Sequence, residues 1–346
     1  MARVFIGIPT WERPQYLRET VTSVLEQTFE DWRLVVSDNH SSENTRVAVE
    51  SYLESLDDPR VSFHAQAKSQ GEYGQGRFLF DSVRDEEYFM ILHDDDLIRP
   101  GYVEQAVATL DRERDAAVFV ADPYIFDKDG IRSDERTERY LDYHGRRAVG
   151  GGSFNILEAV LFHGMTAISG TCFRRSALDE AGLVDPDLDG NYPFELNVFF
   201  RLGERAFKGW HDQRELLGFR FHEGALRKQD EIIRSEPILK NAIRLFTRRR
   251  FQGRLEWKRK AVLGRLHRAL ALVYLREDRL PEGRAEILMA LRTFPYSKRT
   301  LALSVPGLLL PRQVVRLLPE KDIAVPPDMA AAVTRRTNKT EGEKVR

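Results

Sequence analysis

Cysteine is almost missing from this chain: one residue, Cys172, stands among 346, so no intrachain disulfide framework can form and a reducing compartment is expected. Cys172 itself reads as a small buried hydrophobe and not as a nucleophile. Long apolar runs are missing too. The most apolar late stretch, LALSVPGLLLP (301–311), is cut by Pro306 and is too short to span a bilayer. The opening MARVFIGIPTWERP enters a strand pattern without an apolar signal region, so the expectation is a cytoplasmic protein with no transmembrane helix. No nucleic-acid recognition motif is present, and nucleic acid is not an expected partner. With 42% hydrophobic and 31% charged residues, the composition is that of a folded globular protein.

Net charge is nearly absent as well, at −1, but the total hides a division. Residues 1–225 carry 25 Lys/Arg against 41 Asp/Glu, a balance of −16, whereas residues 226–346 carry 28 against 13, a balance of +15. Such asymmetry indicates an acidic domain joined to a basic one whose partner is anionic.

In the acidic part, strand-like and helix-like stretches alternate. Residues 3–9 (RVFIGIP) read as a buried strand, and Pro14 opens a helix with Leu17, Val21, Val24 and Leu25 on one face. Residues 32–37 (WRLVVS), 60–64 (RVSFH), 88–92 (YFMIL) and 116–122 (AAVFVAD) read as further strands. Helices are expected around Val49–Leu56 and Val103–Leu110, and a glycine-rich loop, QGEYGQG (70–76), is expected to precede another. This alternation predicts a largely parallel α/β sheet with helices on both faces, and in such sheets ligands bind at the carboxyl ends of strands. From about residue 226 the pattern becomes helical, and its last two segments resemble a single tetratricopeptide-like helix pair without a second copy. The expected organisation is a domain over 1–225, a basic helical region over 226–332 and a disordered tail over 333–346.

One stretch needs explaining. ILHDDDLI (91–98) sets Asp94, Asp95 and Asp96 side by side directly behind an apolar strand. Like charges so close repel, and burying any of them is costly without a positive partner. Asp is common in solvated turns. Three in a row at a strand end, closed by Pro100-Gly101, favour a cation or phosphate-metal site. Asp38 lies at a second strand end.

TWERPQYLRETVTSVLEQTFEDWRLVVSDNHSSENT resembles the opening of family-2 glycosyltransferases, with its T-Y-N-R turn, a helix ending Q-T, and an acidic D-(D/N)-x-S turn. ILHDDDLIRPGYVE resembles the nucleotide-sugar D-x-D region, and ISGTCFRRSALDEAGLVDPDL (168–188) the R-R-S-A-L segment that follows it. YPFELNVFFRLGERA (192–206) resembles the segment carrying the catalytic base, and FRFHEGALR (219–227) a closing R-x-H region. The resemblance covers about residues 3–227 in order. It implies a GT-A type fold: a nucleotide-sugar-binding mixed sheet flanked by helices, here with a C-terminal α-helical extension.

The same resemblance assigns residues. Thr10 and Asp38 match positions that hold the nucleotide base, with Pro9 and Glu12 beside them. Asp94 matches a position near ribose and sugar, Asp95 the metal ligand with Asp96 beside it, and Glu195 the catalytic base. Here His93 replaces the first acid of the D-x-D, and Asn197 the acid that follows the base. His93 itself reads better as a satisfied core histidine than as a ligand. His222 is a further candidate for the metal, against a structural histidine. Arg77 is a candidate for phosphate or nucleobase, against a plain surface arginine.

The chemistry is consistent with these residue types. Loss of a diphosphate needs charge neutralisation, which Mn²⁺ or Mg²⁺ on carboxylates supplies. An attacking hydroxyl needs a general base, and Glu195 follows apolar Tyr192-Pro193-Phe194, which would raise its pKa. The reading is an inverting, metal-dependent glycosyltransferase that uses a UDP-, GDP- or dTDP-sugar. Its acceptor is a glycan or lipid-linked hydroxyl of cell-surface polysaccharide or glycolipid assembly. A sugar nucleotidyltransferase and a non-catalytic nucleotide-sugar-binding scaffold are the alternatives. Residues 226–260 hold 12 Lys/Arg against four acids beside Leu245, Phe246, Phe251 and Trp257. That mixture suits an anionic membrane surface, with the protein peripheral on its inner face, or docking on the chain's own acidic domain.

Overall fold

The computed structural model describes residues 2–183, 194–221 and 235–309. His222, residues 226–234 and the expected tail over 333–346 lie outside the described residues. The chain divides into two compact units, one drawn from 1–159 with 165–222 and the other from 160–164 with 223–346. Among the described residues no helix is long and apolar enough to cross a membrane.

In the first unit the elements run β1 (Val4–Thr10), α1 (Pro14–Leu25), β2 (Trp32–Asp38), α2 (Glu43–Ser55), β3 (Val61–Ala65), α3 (Gly71–Asp81), β4 (Tyr88–Ile91), β5 (Leu97–Ile98) and α4 (Tyr102–Arg112). They continue as β6 (Ala116–Phe126), α5 (Asp134–Tyr143), α6 (Arg146–Val149), β7 (Gly152–Asn155), α7 (Ile156–His163), β8 (Thr171–Arg174), α8 (Arg175–Ala181), α9 (Phe194–Glu204) and β9 (Lys208–Arg220). One sheet joins the strands in the order β3-β2-β1-β4-β8-β6-β9-β5, and β7 pairs with β9.

The pairs β2/β3, β1/β2 and β1/β4 are parallel, as the alternation predicts. Beyond β4 the expectation of a largely parallel sheet fails. There β8 enters antiparallel to both β4 and β6, so the sheet is mixed, as the family resemblance implies and the strand–helix alternation alone does not. Strand β1 is buried along nearly its whole length, as a central parallel strand covered on both faces must be, while the edge strand β3 alternates. Strand β6 runs past the expected end at Asp122 to Phe126, and its pairing with β9 shifts register at Asp122 and Pro123. Proline has no N–H to donate to a ladder, and the irregularity accommodates it. The glycine-rich stretch also differs from expectation: it is no loop but the first turns of α3.

Gln27, the glutamine of the Q-T pair, is a buried clamp. Its Nε2 donates to the carbonyls of Ser23 at 3.0 Å and Arg99 at 2.9 Å, and its Oε1 accepts from the Val103 N–H at 3.0 Å. It thereby ties the end of α1 to the segment that leaves the aspartate run.

The second unit contains α10 (Glu236–Thr247), α11 (Gly253–Arg276), α12 (Leu280–Thr293) and α13 (Lys298–Leu309). Its core includes Ala271, Leu272, Leu275, Ile287 and Leu303. Not every member of the basic runs is available to an anionic partner. Arg249 is buried, donating to the Leu245 carbonyl at 3.0 Å, and Arg259 is buried between the Phe246 carbonyl at 2.7 Å and the Glu256 carboxylate. Leu245 and Phe246 are likewise internal, whereas Trp257 is exposed.

Gln27→Ala removes these bonds and leaves the Val103 N–H without its partner in a buried setting. We expect a loss of about 2 kcal/mol in unfolding free energy, to be read from urea denaturation followed by circular dichroism.

Candidate functional site

The register sets Thr10 opposite Asp38 and Gly7 opposite Ile91, so β1, β2 and β4 deliver their carboxyl ends to one side of the sheet. A cavity of about 410 Å³ opens there, lined by Pro9, Thr10, Trp11, Arg13, Asn39, Gly71, Gln75, Gly76, Ile91, His93, Asp94, Ile168 and Phe194. A smaller one, about 270 Å³, lies past Asn39 and is lined by Asp38, His40, Ser41, Glu43, Arg46 and Gln66. Asn39, in the wall of the larger cavity and between Asp38 and His40 of the smaller one in sequence, fixes the start of α3: its Oδ1 accepts from the Gln70 N–H at 2.8 Å and from Gln75 Nε2 at 3.2 Å.

The three aspartates have different neighbours. Asp94 is buried and accepts from Thr10 Oγ1 at 2.8 Å and from the Trp11 N–H at 3.3 Å. Asp95 pairs with Arg13, Nη1 to Oδ2, at 2.6 Å. Asp96 is buried, accepting from Ser169 Oγ at 2.6 Å through Oδ2 and from the Arg220 N–H at 3.2 Å through Oδ1. The Ser169 hydroxyl also accepts from the His93 N–H at 3.0 Å, and Thr20 Oγ1 donates to the Asp96 carbonyl at 2.9 Å. Arg220 adds a bond from Nε to the Asp95 carbonyl at 3.1 Å. Turn 93–96 is therefore held by α1, β9 and the segment before β8.

Burial, then the neighbouring charge of Asp95, raises the carboxyl pKa of both Asp94 and Asp96 above the ordinary value. Arg13 opposes this at Asp94, and His93 at Asp96. His93 corrects the expectation of a core histidine: it is half-buried, with Nδ1 3.9 Å from Asp96 Oδ2. His93, Asp95 and Asp96 offer ligand atoms that all lie within 4.8 Å of one another. Two hard oxygen donors and one imidazole, set among carboxylates that resist ionisation, fit Mn²⁺ or Mg²⁺.

Glu195 lies half-buried in the first turn of α9, directly after Phe194 of the cavity wall. Gly76 lets that wall form, since a Cβ there would come within 2.6 Å of Phe194 Cζ. The buried phenol of Tyr140 is pushed up to about 12, mainly by desolvation, with the charges of Glu195 and Asp96 acting in the same direction.

Other expected residues have hydrogen-bond partners or surroundings of their own. The Asp38 carboxylate closes its own turn, accepting from Ser41 Oγ and, at 3.0 Å, from the Ser41 N–H, and it borders the smaller cavity. Glu12, at φ 56°, is engaged within the fold: its carboxylate accepts from the Ser42 N–H, Ser42 Oγ and Thr45 Oγ1, serving the amino end of α2. Those bonds, led by the Ser42 N–H, hold its pKa below the usual value. Arg77 pairs with Asp81 one turn along α3, Nε to Oδ2 at 2.7 Å, as a surface arginine would. Cys172 is buried, and desolvation pushes its thiol up to about 12, so it is no nucleophile. Arg13, Ser169, Asn39 and Arg220 were not expected, although each lies within or beside a stretch that carries the resemblance.

The sequence model of glycosyl transferase family 2 matches residues 5–180, just over half of the chain. The GalNAc(5)-diNAcBac-PP-undecaprenol beta-1,3-glucosyltransferase of Campylobacter jejuni is 28% identical over 143 residues, 41% of this chain and 44% of that protein. The chain spans less than half the length of the first curated relatives it matches. Among solved structures, S. aureus TarS 1–349 in complex with UDP-GlcNAc aligns with a TM-score of 0.58 at 13% identity, over 91% of this chain and 88% of that one. The mannosyltransferase PcManGT of Pyrobaculum calidifontis, in complex with GDP-Man and Mn²⁺, aligns at 0.54 and 14% identity, over 90% and 82%. At such identities the likeness is one of fold, and the fold is of GT-A type.

The raised carboxyls fix a pH dependence. A carboxyl whose pKa is higher folded than unfolded adds stability below 3.8, its ordinary value, and loses that contribution as pH rises through the folded value. A cation needs the deprotonated form, so its effect has the opposite sign. We expect Mn²⁺ to raise the melting temperature more at about pH 8 than at about pH 5, and Asp96→Asn to flatten that difference. Differential scanning fluorimetry with Mn²⁺ or EDTA reads both.

Proposed function

The chain belongs to glycosyl transferase family 2, and on that premise we propose that it is an inverting, metal-dependent glycosyltransferase acting from a nucleotide-sugar donor. The observation that carries the reading is one cavity shared by Thr10, Asp94 and His93 from the strand ends and by Phe194, which precedes Glu195. Donor diphosphate and sugar are assigned to the Asp94–Asp96 side, and the nucleobase to the smaller cavity beside Asp38. PcManGT with GDP-Man and Mn²⁺ and TarS with UDP-GlcNAc support a donor of this class.

Asp95, Asp96 and His93 would hold Mn²⁺ or Mg²⁺, which when bound neutralises charge developing on the leaving diphosphate. Thr10 and the Trp11 N–H orient Asp94 toward the cavity. Glu195 takes the proton from the acceptor hydroxyl as its oxygen attacks the anomeric carbon. The bond to the diphosphate breaks on the opposite face, releasing a nucleoside diphosphate and inverting the centre. A single base, with no second carboxylate as nucleophile, is what inversion needs. The acceptor is proposed to be a glycan or lipid-linked hydroxyl. For the basic second unit an anionic membrane surface is the proposed partner, on the evidence of its charge and exposed Trp257.

Glu195→Gln is expected to leave donor binding intact and lower turnover by about 10²-fold or more, measured as nucleoside diphosphate release from a panel of UDP-, GDP- and dTDP-sugars. Near-normal turnover would remove Glu195 from the mechanism, and release of pyrophosphate would replace glycosyl transfer by nucleotidyl transfer.

For the second unit, co-sedimentation with phosphatidylserine vesicles is expected at low salt and its loss at high salt, since exposed charges are screened beyond about 8 Å at physiological ionic strength. Arg254→Gln with Lys260→Gln should weaken it. Indifference of the wild type to these vesicles would end the membrane assignment.

A further inference from the structure

Arg13 contacts two of the three aspartates with one nitrogen. Nη1 lies 2.6 Å from Asp95 Oδ2 and 3.5 Å from Asp94 Oδ1. Because both contacts use the same atom, the planar fork of the guanidinium is not engaged bidentately with either carboxylate. The side chain is 41% exposed, against 8% for Asp94 and 15% for Asp95, so the cation stands at the mouth and the anions behind it. Its backbone is fixed by the turn between β1 and α1, with Pro14 following, and the side chain does not cap the helix.

Asp95 also belongs to the group whose atoms converge with those of His93 and Asp96. One carboxylate therefore faces two claims: the guanidinium that holds it here and the divalent cation that the proposed reaction requires. Seating such an ion on Asp95 brings like charges to contact distance, and the two repel strongly in this half-buried setting. A donor diphosphate removes the conflict, because it brings anionic oxygens within reach of a guanidinium that already lines the cavity.

We propose that Arg13 is a place-holding counter-ion. It neutralises Asp94 and Asp95 while the site holds no donor, then yields Asp95 to the metal and pairs with the donor's diphosphate. The inference rests on the donor-site reading above and adds a coupling to it: metal alone binds weakly, and metal with nucleotide binds cooperatively. Arg13 is in this sense a positioning residue that sets the order of binding.

The test compares the wild type with Arg13→Met, which keeps length without charge, and Arg13→Lys, which keeps charge without the fork. Mn²⁺ alone is titrated by electron paramagnetic resonance, and UDP and GDP are titrated by calorimetry with Mn²⁺ saturating. Coupling free energies between sites commonly correspond to factors of about 5–150, and we expect a change of about tenfold in each direction. Arg13→Met should bind Mn²⁺ alone more tightly than the wild type and the nucleotide with Mn²⁺ more weakly. Arg13→Lys should return Mn²⁺ binding to the weak wild-type level. If Arg13→Met binds Mn²⁺ alone no more tightly than the wild type does, the place-holding role is overturned. If its nucleotide affinity is unchanged, the transfer to diphosphate is overturned. If none of the three proteins binds Mn²⁺ or either nucleotide, the donor-site reading falls and this inference with it.

Discussion

Three adjacent carboxylates crowded behind a buried strand are the constraint around which the first unit is arranged. Left alone, Asp94, Asp95 and Asp96 would repel one another and favour an open, solvated turn. They are held because each draws on a different part of the chain. Thr10 comes from β1, Arg13 from the turn after it, Ser169 from the segment before β8, and Arg220 from the end of β9. Those four contacts bridge sequence separations from about 73 to 124 residues, so the turn forms only when the sheet is complete. The site is thereby coupled to the integrity of the fold.

This dependence explains the mixed topology. A purely parallel sheet would place a crossover helix after β4 and its next strand alongside. Instead β8 enters antiparallel next to β4, and the residues just before it, Ser169 and Gly170, run beside the end of β4. That brings a hydroxyl to Asp96 from the side opposite β1. A second buried polar node lies farther along, where His211 bridges Asp122 and the Gly150 carbonyl, each at 2.7 Å, and secures β9 against β6. Strand β9 then has a fixed course and can present Arg220 at its end.

What the sequence revealed follows the same physics. Strands β1, β2 and β4 were legible because buried parallel strands read as nearly unbroken apolar runs, the edge strand β3 because its residues alternate, and the aspartates because an apolar run leads directly into them. Residues 123–167 were not legible. Strand β6 continues through a proline, α5 is strongly charged with only Thr137, Tyr140 and Leu141 buried, and β7 is four residues long and begins with glycine. The stretches that carry the family likeness supply the residues around the aspartates, but the likeness does not give the contacts of each residue. Glu12 and Arg77 lie in or near those stretches, yet their described side-chain partners are not the aspartates: Ser42 and Thr45 at the start of α2 for one, and Asp81 one turn along α3 for the other. Arg13 and Ser169 lie in the same stretches and touch the aspartates, a distinction that depends on side-chain direction, which spacing alone does not encode. In the second unit, Arg249 and Arg259 read as surface charge because nothing in a basic run tells which members turn inward to meet helix-end carbonyls.

The contact between Gly76 and Phe194 bears on how this scaffold diversifies. The cavity wall at that point is defined by a hydrogen where every other amino acid would place a carbon, so the space for a ligand is encoded as an omission on one helix and read out as the seat of an aromatic ring on another. A change of a single codon at position 76 would push that ring, and with it the start of α9 where Glu195 stands, while the contacts that hold Asp94–Asp96 come from other elements. The shape of the cavity and the placement of Glu195 are therefore tied together here: any change that widens or narrows the space at Phe194 also moves the carboxylate that follows it in the chain.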